Sequence, residues 1–191
     1  MKKVPEDLAV KLRVVSEQFL ALGPDGRLDQ VAADAGIPRA TLYYYFSGKD
    51  DLLTFFMREK MARIGVRVQE AKASDGTAIE RFTVALGSIV RELAANPAVC
   101  VNLTVAMGRM EAMAEVVTAS DQAVIAPLRE LLIEARAVGN ADVPDIDLTA
   151  AMVLGGITMA VIQRYSMTGE IDADALAAAV TAQVMNGVRV R

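Results

Sequence analysis

Four aromatic side chains follow one another at Tyr43, Tyr44, Tyr45 and Phe46, and three of the chain's four tyrosines are among them. Arg39 and Thr41 lie just upstream. A guanidinium can grip guanine O6 and N7 with two parallel hydrogen bonds, and alanine and threonine methyl groups can touch thymine methyls. Tyrosine and threonine hydroxyls can donate to phosphate oxygens. Consecutive helical residues sit about 100° apart, so four aromatics in a row sweep most of the way round a helix. They cannot all face one core, and the outer ones need a partner that accepts phenol hydroxyls.

The flanking residues supply two short helices to hold this set. Leu28, Val31, Ala32 and Ala35 recur at helical spacing, so residues 27–35 read as an amphipathic helix. Gly36 stops it where a left-handed backbone is common. Pro38 suits the first turn of a second helix. There Leu42, Tyr45 and Phe46 share an inward face, expected to pack on Val31, Ala35 and Ile37, and Arg39, Ala40, Thr41, Tyr43 and Tyr44 are left outside. Helix, tight turn, helix is the arrangement whose second helix enters the DNA major groove. A third helix is expected from Ser47 as N-cap, with Asp50 and Asp51 in its first turn. Lys49 opposes the helix dipole there, so it reads either as a phosphate ligand or as a merely exposed cation.

The run VAADAGIPRATLYYYFSGKDDLL resembles the helix-turn-helix signature of the tetracycline-repressor (TetR) family of transcriptional regulators. The matching elements are Ala32-x-x-Ala35-Gly36, then Thr41-Leu42-Tyr43, the aromatic pair Tyr45-Phe46, and Lys49 ahead of Leu52. The likeness is strong over residues 27–53 and extends in layout over about the first 65. It implies base-facing positions at Arg39, Ala40, Tyr43 and Tyr44, and backbone-facing ones at Thr41, Tyr45 and Lys49. Gly26-Arg27 departs from the pattern, because the family often opens this helix with Thr or Ser. Arg27 can still reach a phosphate, but a hydroxyl cap is missing.

Composition bounds the alternatives. The chain has 191 residues, a net charge of −4, one cysteine and no histidine. Residues 1–60 hold nine Lys/Arg and nine Asp/Glu, so a DNA-binding face must be a local patch rather than a basic surface. Without histidine and with Cys100 alone, classical zinc sites and histidine-based catalysis are excluded. No nucleophile–base pair or phosphate loop is visible, so no enzyme, cofactor or metal is expected. Cys100 reads as a buried thiol in a reducing compartment, with a redox sensor as the other reading. Met1-Lys2-Lys3 leads into Val4-Pro5-Glu6-Asp7 rather than an apolar stretch, and a cytoplasmic protein is expected. The longest apolar run, Leu148 to Ile162, spans about 22 Å as a helix, short of the roughly 30 Å bilayer core, and reads as a buried interface helix rather than a membrane span.

The remaining pattern is helical throughout, with about nine helices in all. Residues 6–22 form an opening helix on Leu8, Leu12, Val15 and Phe19. On it and just before it, Lys2, Lys3, Lys11 and Arg13 read equally as phosphate ligands or as a solvated face. A long helix from Ser47 to about Ala73 leaves the DNA module and enters the rest of the chain. Further helices are expected at 77–95, 98–116 and 121–138, the last with a kink at Pro127. The architecture is therefore all-α: a three-helix DNA-binding domain (residues 1–48) joined by the long helix to a helical ligand-binding and dimerisation domain (residues 49–191).

Two candidate surfaces lie in the second domain. Met107, Met110 and Met113 step by threes, and with Leu103 and Arg109 they read as core filler or as the wall of an adaptable pocket. Met152, Met159 and Tyr165 are added as pocket candidates from the next-to-last helix. Helices expected at 145–168 and 172–188 carry small residues at Ala151, Gly155, Gly156 and Ala160, and at Ala175, Ala179 and Ala182. An antiparallel pair of this kind meeting its two-fold mate gives a four-helix bundle. The TetR-like resemblance places the dimer interface at the same two helices. It implies a homodimeric repressor, released from an inverted-repeat operator on double-stranded DNA by a small apolar effector. The rival reading is a small-molecule binding protein whose DNA module is vestigial.

Overall fold

The computed structural model describes residues 2–22, 26–97, 100–101 and 110–188. Their helices are α1 (Glu6–Leu22), α2 (Leu28–Asp34), α3 (Arg39–Tyr45), α4 (Lys49–Lys72), α5 (Ala78–Ala94), α6 (Met110–Ser120), α7 (Ala126–Ala137), α8 (Ile146–Thr168) and α9 (Ala173–Val188). No β-strand occurs among the described residues. One hydrophobic cluster runs through both halves of the chain, from Leu8 and Leu12 on α1 to Met185 and Val188 on α9.

The bundle is organised by α4. It packs on α1 at its N-terminal end, then on α5, α6 and α7. The side chains of Leu52, Phe56, Met57, Met61, Ile64 and Val68 recur at three- and four-residue steps and are fully buried. The helix begins later than its sequence suggests. Its N-cap is Gly48, and Ser47 instead donates its backbone N–H to Asp51 Oδ2 at 2.9 Å. The Asp51 carboxylate therefore ties down the residue that precedes the helix, while Gly48 supplies no side-chain cap.

Caps fix the other boundaries. Thr77 and Glu80 form a reciprocal capping box at the start of α5, with Thr77 N–H donating to Glu80 Oε2 at 2.8 Å. Asp145 accepts the Leu148 N–H at 2.9 Å to open α8, and Gly169 closes it with φ +73°.

The helices expected at 98–116 and 121–138 are not separated. From Met110 to Ala137 the chain is one helical rod, and its only interruption is a π-helical turn at Asp121–Ile125. No glycine or proline between Val116 and Asp121 stops the helix. Pro127 follows the wide turn directly, where its missing N–H and its ring are accommodated.

Both α8 and α9 lie against α5 rather than closely against each other. Between them runs an apolar groove of about 430 Å³, lined by Met152, Val153, Gly156 and Ala160 of α8 and by Val180 and Val184 of α9. α8 is long and apolar enough to cross a bilayer, yet only 28% of its most apolar window is buried in the chain.

Candidate nucleic-acid interface

The turn between α2 and α3 is closed by backbone geometry. Gly36 adopts φ +62°, its N–H donates to Ala33 O at 3.1 Å, and the Ile37 N–H donates to Ala32 O at 2.9 Å. This is the two-bond Schellman closure, which needs a left-handed residue where Gly36 stands. Ile37 then plugs the turn and is buried, as are Leu28, Val31 and Ala32 of α2. Pro38 is the N-cap of α3 rather than its first helical residue, and its carbonyl accepts from Thr41 and Leu42.

Leu42 and Phe46 are completely buried, although Phe46 has already left the helix in an extended conformation. That residue locks the end of α3 into the core, in an edge-on contact with Phe55 of α4 at 5.5 Å between ring centroids. Tyr45 is half-buried against the core, with its ring edge-on to Tyr44 at 5.0 Å.

The outer face carries Arg39, Ala40, Tyr43 and Tyr44, all exposed. Thr41, Tyr45 and Lys49 are half-buried at its margins, and Arg27 is exposed at the N-cap of α2, where it makes no side-chain cap. The exposed residues do not project freely. Arg39 Nη1 lies 3.4 Å from Asp29 Oδ2, and the Tyr43 hydroxyl donates to Asp29 Oδ1 at 3.4 Å. The Lys2 ammonium sits 3.5 Å from the centroid of the Tyr44 ring, a cation–π contact that brings a charge from the N-terminal arm to the recognition helix. Lys49 Nζ stands 5.8 Å from the Phe19 ring.

Arg13 is turned away from this work. It pairs with Glu6 at 2.8 Å and with Glu59 of α4, tying α1 to α4. These hydrogen bonds hold the guanidinium above its ordinary pKa. Neither Asp29 nor the placement of Lys2 was evident from the sequence. Asp29 reads there as one more acidic residue in a first turn, and its link to Arg39 appears only once the Gly36 turn folds α3 across α2.

The pocket and dimer candidates of the second half are described only in part. Leu103, Met107 and Arg109 lie outside the described residues, and Met110 and Met113 lie on the first turns of α6, with their side chains undescribed. Met152, Met159 and Tyr165 do not face the interior. All three are exposed on α8, Met152 at 65%, because that helix turns only one face to α5 and α7. The dimer candidates Ala151, Gly155, Gly156, Ala175, Ala179 and Ala182 are exposed as well, and Ala160 is half-buried in the groove. Inside the second half, Lys60 of α4 is 2% exposed and pairs with Glu92 of α5 at 3.3 Å. Glu92 also meets Arg67 Nε at 3.6 Å. Cys100 is buried, and desolvation pushes its thiol up to about 12 against a smaller opposing effect of the Lys60 charge. Among the described residues no group of His, Cys, Asp and Glu is arranged to hold a metal ion.

Residues 17–54 match the family model described as bacterial regulatory proteins, tetR family. Two Mycobacterium tuberculosis proteins, each named an uncharacterized HTH-type transcriptional regulator, are 29% identical over 96 residues. That match spans 48% of this chain and 48% of each relative, so the chain matches about half the length of these proteins. The fold is shared more widely. The fatty acid degradation regulator FadR of Bacillus halodurans superposes with a TM-score of 0.81 over 95% of this chain and 100% of its own, at 20% identity. FadR of Bacillus subtilis, solved with stearoyl-CoA, gives 0.75 over 94% and 98%, at 21% identity. A ketosteroid transcriptional regulator of Mycobacterium tuberculosis gives 0.68 over 99% and 98%, at 16% identity. Over residues 17–54 the helix-turn-helix module thus matches the tetR family of bacterial regulatory proteins, and the all-α fold is similar along nearly the whole chain to solved transcriptional regulators.

Proposed function

We propose that this protein is a homodimeric, sequence-specific DNA-binding repressor, released from an inverted-repeat operator by a small, largely apolar effector. The observation that carries the reading is the outer face of α3. Arg39, Ala40, Tyr43 and Tyr44 are exposed together on a helix whose opposite face is locked into the core by Leu42 and Phe46. An arginine and aromatic hydroxyls on a rigid, protruding helix suit base edges in a major groove. Arg27, Thr41, Tyr45 and Lys49 flank that face and are assigned to phosphates.

The dimer is assigned to α8 and α9. A Cβ built on Gly155 or Gly156 meets nothing within 4 Å, so no packing inside the chain calls for two adjacent helical glycines. Each costs about 1 kcal/mol against alanine. A second copy approaching closely along the α8–α9 groove accounts for them, and it covers the exposed apolar side of α8, including Met152 and Met159.

The effector reading draws on the neighbours: the Bacillus subtilis protein was solved with stearoyl-CoA, and the Mycobacterium tuberculosis one is named for ketosteroids. For this chain we assign the pocket to the helical second half, with Leu103, Met107, Arg109, Met110 and Met113 as candidates for its wall. An effector acts only by favouring one spacing of the two DNA modules over another, and α4 is the covalent connection that transmits it. A coupling of about 1–3 kcal/mol loosens DNA roughly 5- to 150-fold.

Selection of binding sites from random duplex DNA, with purified protein at near-physiological salt, tests the reading. Enrichment of an inverted repeat with half-sites one helical turn apart is expected. A flat pool, with protein that still binds apolar compounds in a thermal-shift screen, moves the assignment to a small-molecule binding protein with a vestigial DNA module.

A further inference from the structure

We propose that Asp29 is a specificity-determining positioning residue, which aims Arg39 and Tyr43 at the base edges. The inference rests on the assignment of α3 to the major groove. Arg39 and Tyr43 are four residues apart and so lie on one face of α3, one turn from each other. Asp29, in the first turn of α2, reaches both with its two carboxylate oxygens, each at 3.4 Å. One acidic side chain from the supporting helix therefore holds two of the four exposed reading residues.

Arg39 is 70% exposed, and an arginine side chain left unrestrained samples many rotamers. Bidentate reading of guanine needs the guanidinium plane in line with the O6/N7 edge. Asp29 engages Arg39 through Nη1, and the guanidinium has five N–H donors, so the rest remain available to a base. In the same way Tyr43 keeps its acceptor lone pairs while its proton is held by Asp29.

Electrostatics shows why an explanation by stability alone is insufficient. An exposed ion pair of this kind adds little to stability. Against that, a carboxylate on the face presented to DNA is opposed by the phosphates, in a module whose charge over residues 1–60 is already balanced. Asp29 is 31% exposed, so it is only partly withdrawn from that field. A residue with this electrostatic cost for affinity is accounted for by what it adds to discrimination. It also stops Arg39 from gripping any phosphate within reach.

The test compares wild type with Asp29→Ala, Asp29→Glu, Arg39→Ala and the double variant Asp29→Ala/Arg39→Ala. Each is put through random-duplex selection, followed by titrations on the selected and scrambled duplexes. Asp29→Ala should lower discrimination at the base pair read by Arg39 by roughly tenfold, part of what a bidentate pair supplies. Binding to scrambled DNA should be unchanged or tighter, and thermal stability near wild type. Asp29→Glu, which keeps the charge in the first turn of α2 but moves it outward, should restore discrimination only in part. At the base pair read by Arg39, the double variant should match Arg39→Ala alone. If Asp29→Ala weakens all sequences alike, or leaves selectivity intact while Arg39→Ala relaxes it, the positioning role is wrong and the base-reading assignment stands. If Arg39→Ala relaxes no position, the base contact itself is wrong and the role of Asp29 falls with it.

Discussion

A methyl group placed on Gly65 of α4 would stand 2.9 Å from the carbonyl oxygen of Ala123 and 2.9 Å from its Cβ. Ala123 lies in the π-helical turn, and its carbonyl is the one that Pro127, lacking an N–H, cannot serve as an α-helical donor. The connecting helix thus runs against the second half of the chain at a point of close approach to its backbone. Gly65→Ala should lower stability by about 1–2 kcal/mol, because overpacking against a main-chain atom outweighs the gain in helix propensity. Urea denaturation measures this. A rise in stability would mean that α4 and the π turn do not approach so closely.

Lys60 and Glu92 form the most deeply buried ion pair between α4 and α5 among the described residues, with the Lys60 side chain 3% exposed. Removing one partner strands a charge, so Glu92→Leu should cost about 3 kcal/mol. Lys60→Met together with Glu92→Leu should be close to neutral or stabilising, since the desolvation of both charges disappears. A double-mutant cycle by chemical denaturation decides, and purely additive losses would count against the pairing.

The glycines of α8 separate stability from assembly. In an isolated chain, Gly155→Ala and Gly156→Ala should each stabilise by about 1 kcal/mol, because nothing stands where the new methyl groups go. At a close helix–helix contact between two copies they should instead weaken the dimer. Sedimentation equilibrium across a concentration series reads the two effects apart. A dimer whose affinity is untouched by both substitutions would have its interface elsewhere.

Cys100 should resist alkylation in the folded protein at pH 8 and react on unfolding, since burial holds its thiol protonated up to about pH 12. The folded-state value is raised above the ordinary thiol range. Its stabilising contribution is therefore fully present below about pH 9, where the unfolded thiol begins to ionise, and is lost as pH rises toward 12. Cys100→Ala should flatten that alkaline decline, as followed by thermal melts between pH 8 and pH 11.

Lys49→Ala should weaken binding to all duplexes alike and reduce the slope of log affinity against log salt by about one unit. A changed sequence preference instead would show that Lys49 reads bases.

The helix-turn-helix was legible because its determinants are local. Gly36 has to adopt a left-handed backbone, and Leu42 and Phe46 fall inward by spacing alone. That Arg39, Ala40, Tyr43 and Tyr44 lie outside follows from the same arithmetic. The break expected between residues 116 and 121 failed for a physical reason: no residue there stops a helix, and a π turn absorbs Pro127 without ending it. Met152, Met159 and Tyr165, pocket candidates by sequence, are exposed on α8, and apolar residues all round a helix look alike in sequence whether a core or an open groove receives them. Asp29 was invisible because its partners lie across a turn, where spacing along one helix carries no information.

The wide turn at Asp121–Ile125 also sets how substitutions along the rod from Met110 to Ala137 should be compared between relatives. A π turn holds one residue more than an α turn, so side chains before it are rotated by about 100° from the positions that continuous α-helical counting would give them. A relative that lacks the extra residue would present a different stripe of α6 to the interior, with α7 and its buried Leu128, Leu131 and Leu132 unmoved. A single-residue gap in this one turn is therefore enough to reshape the side of α6 turned to the bundle, while the scaffold behind it stays the same.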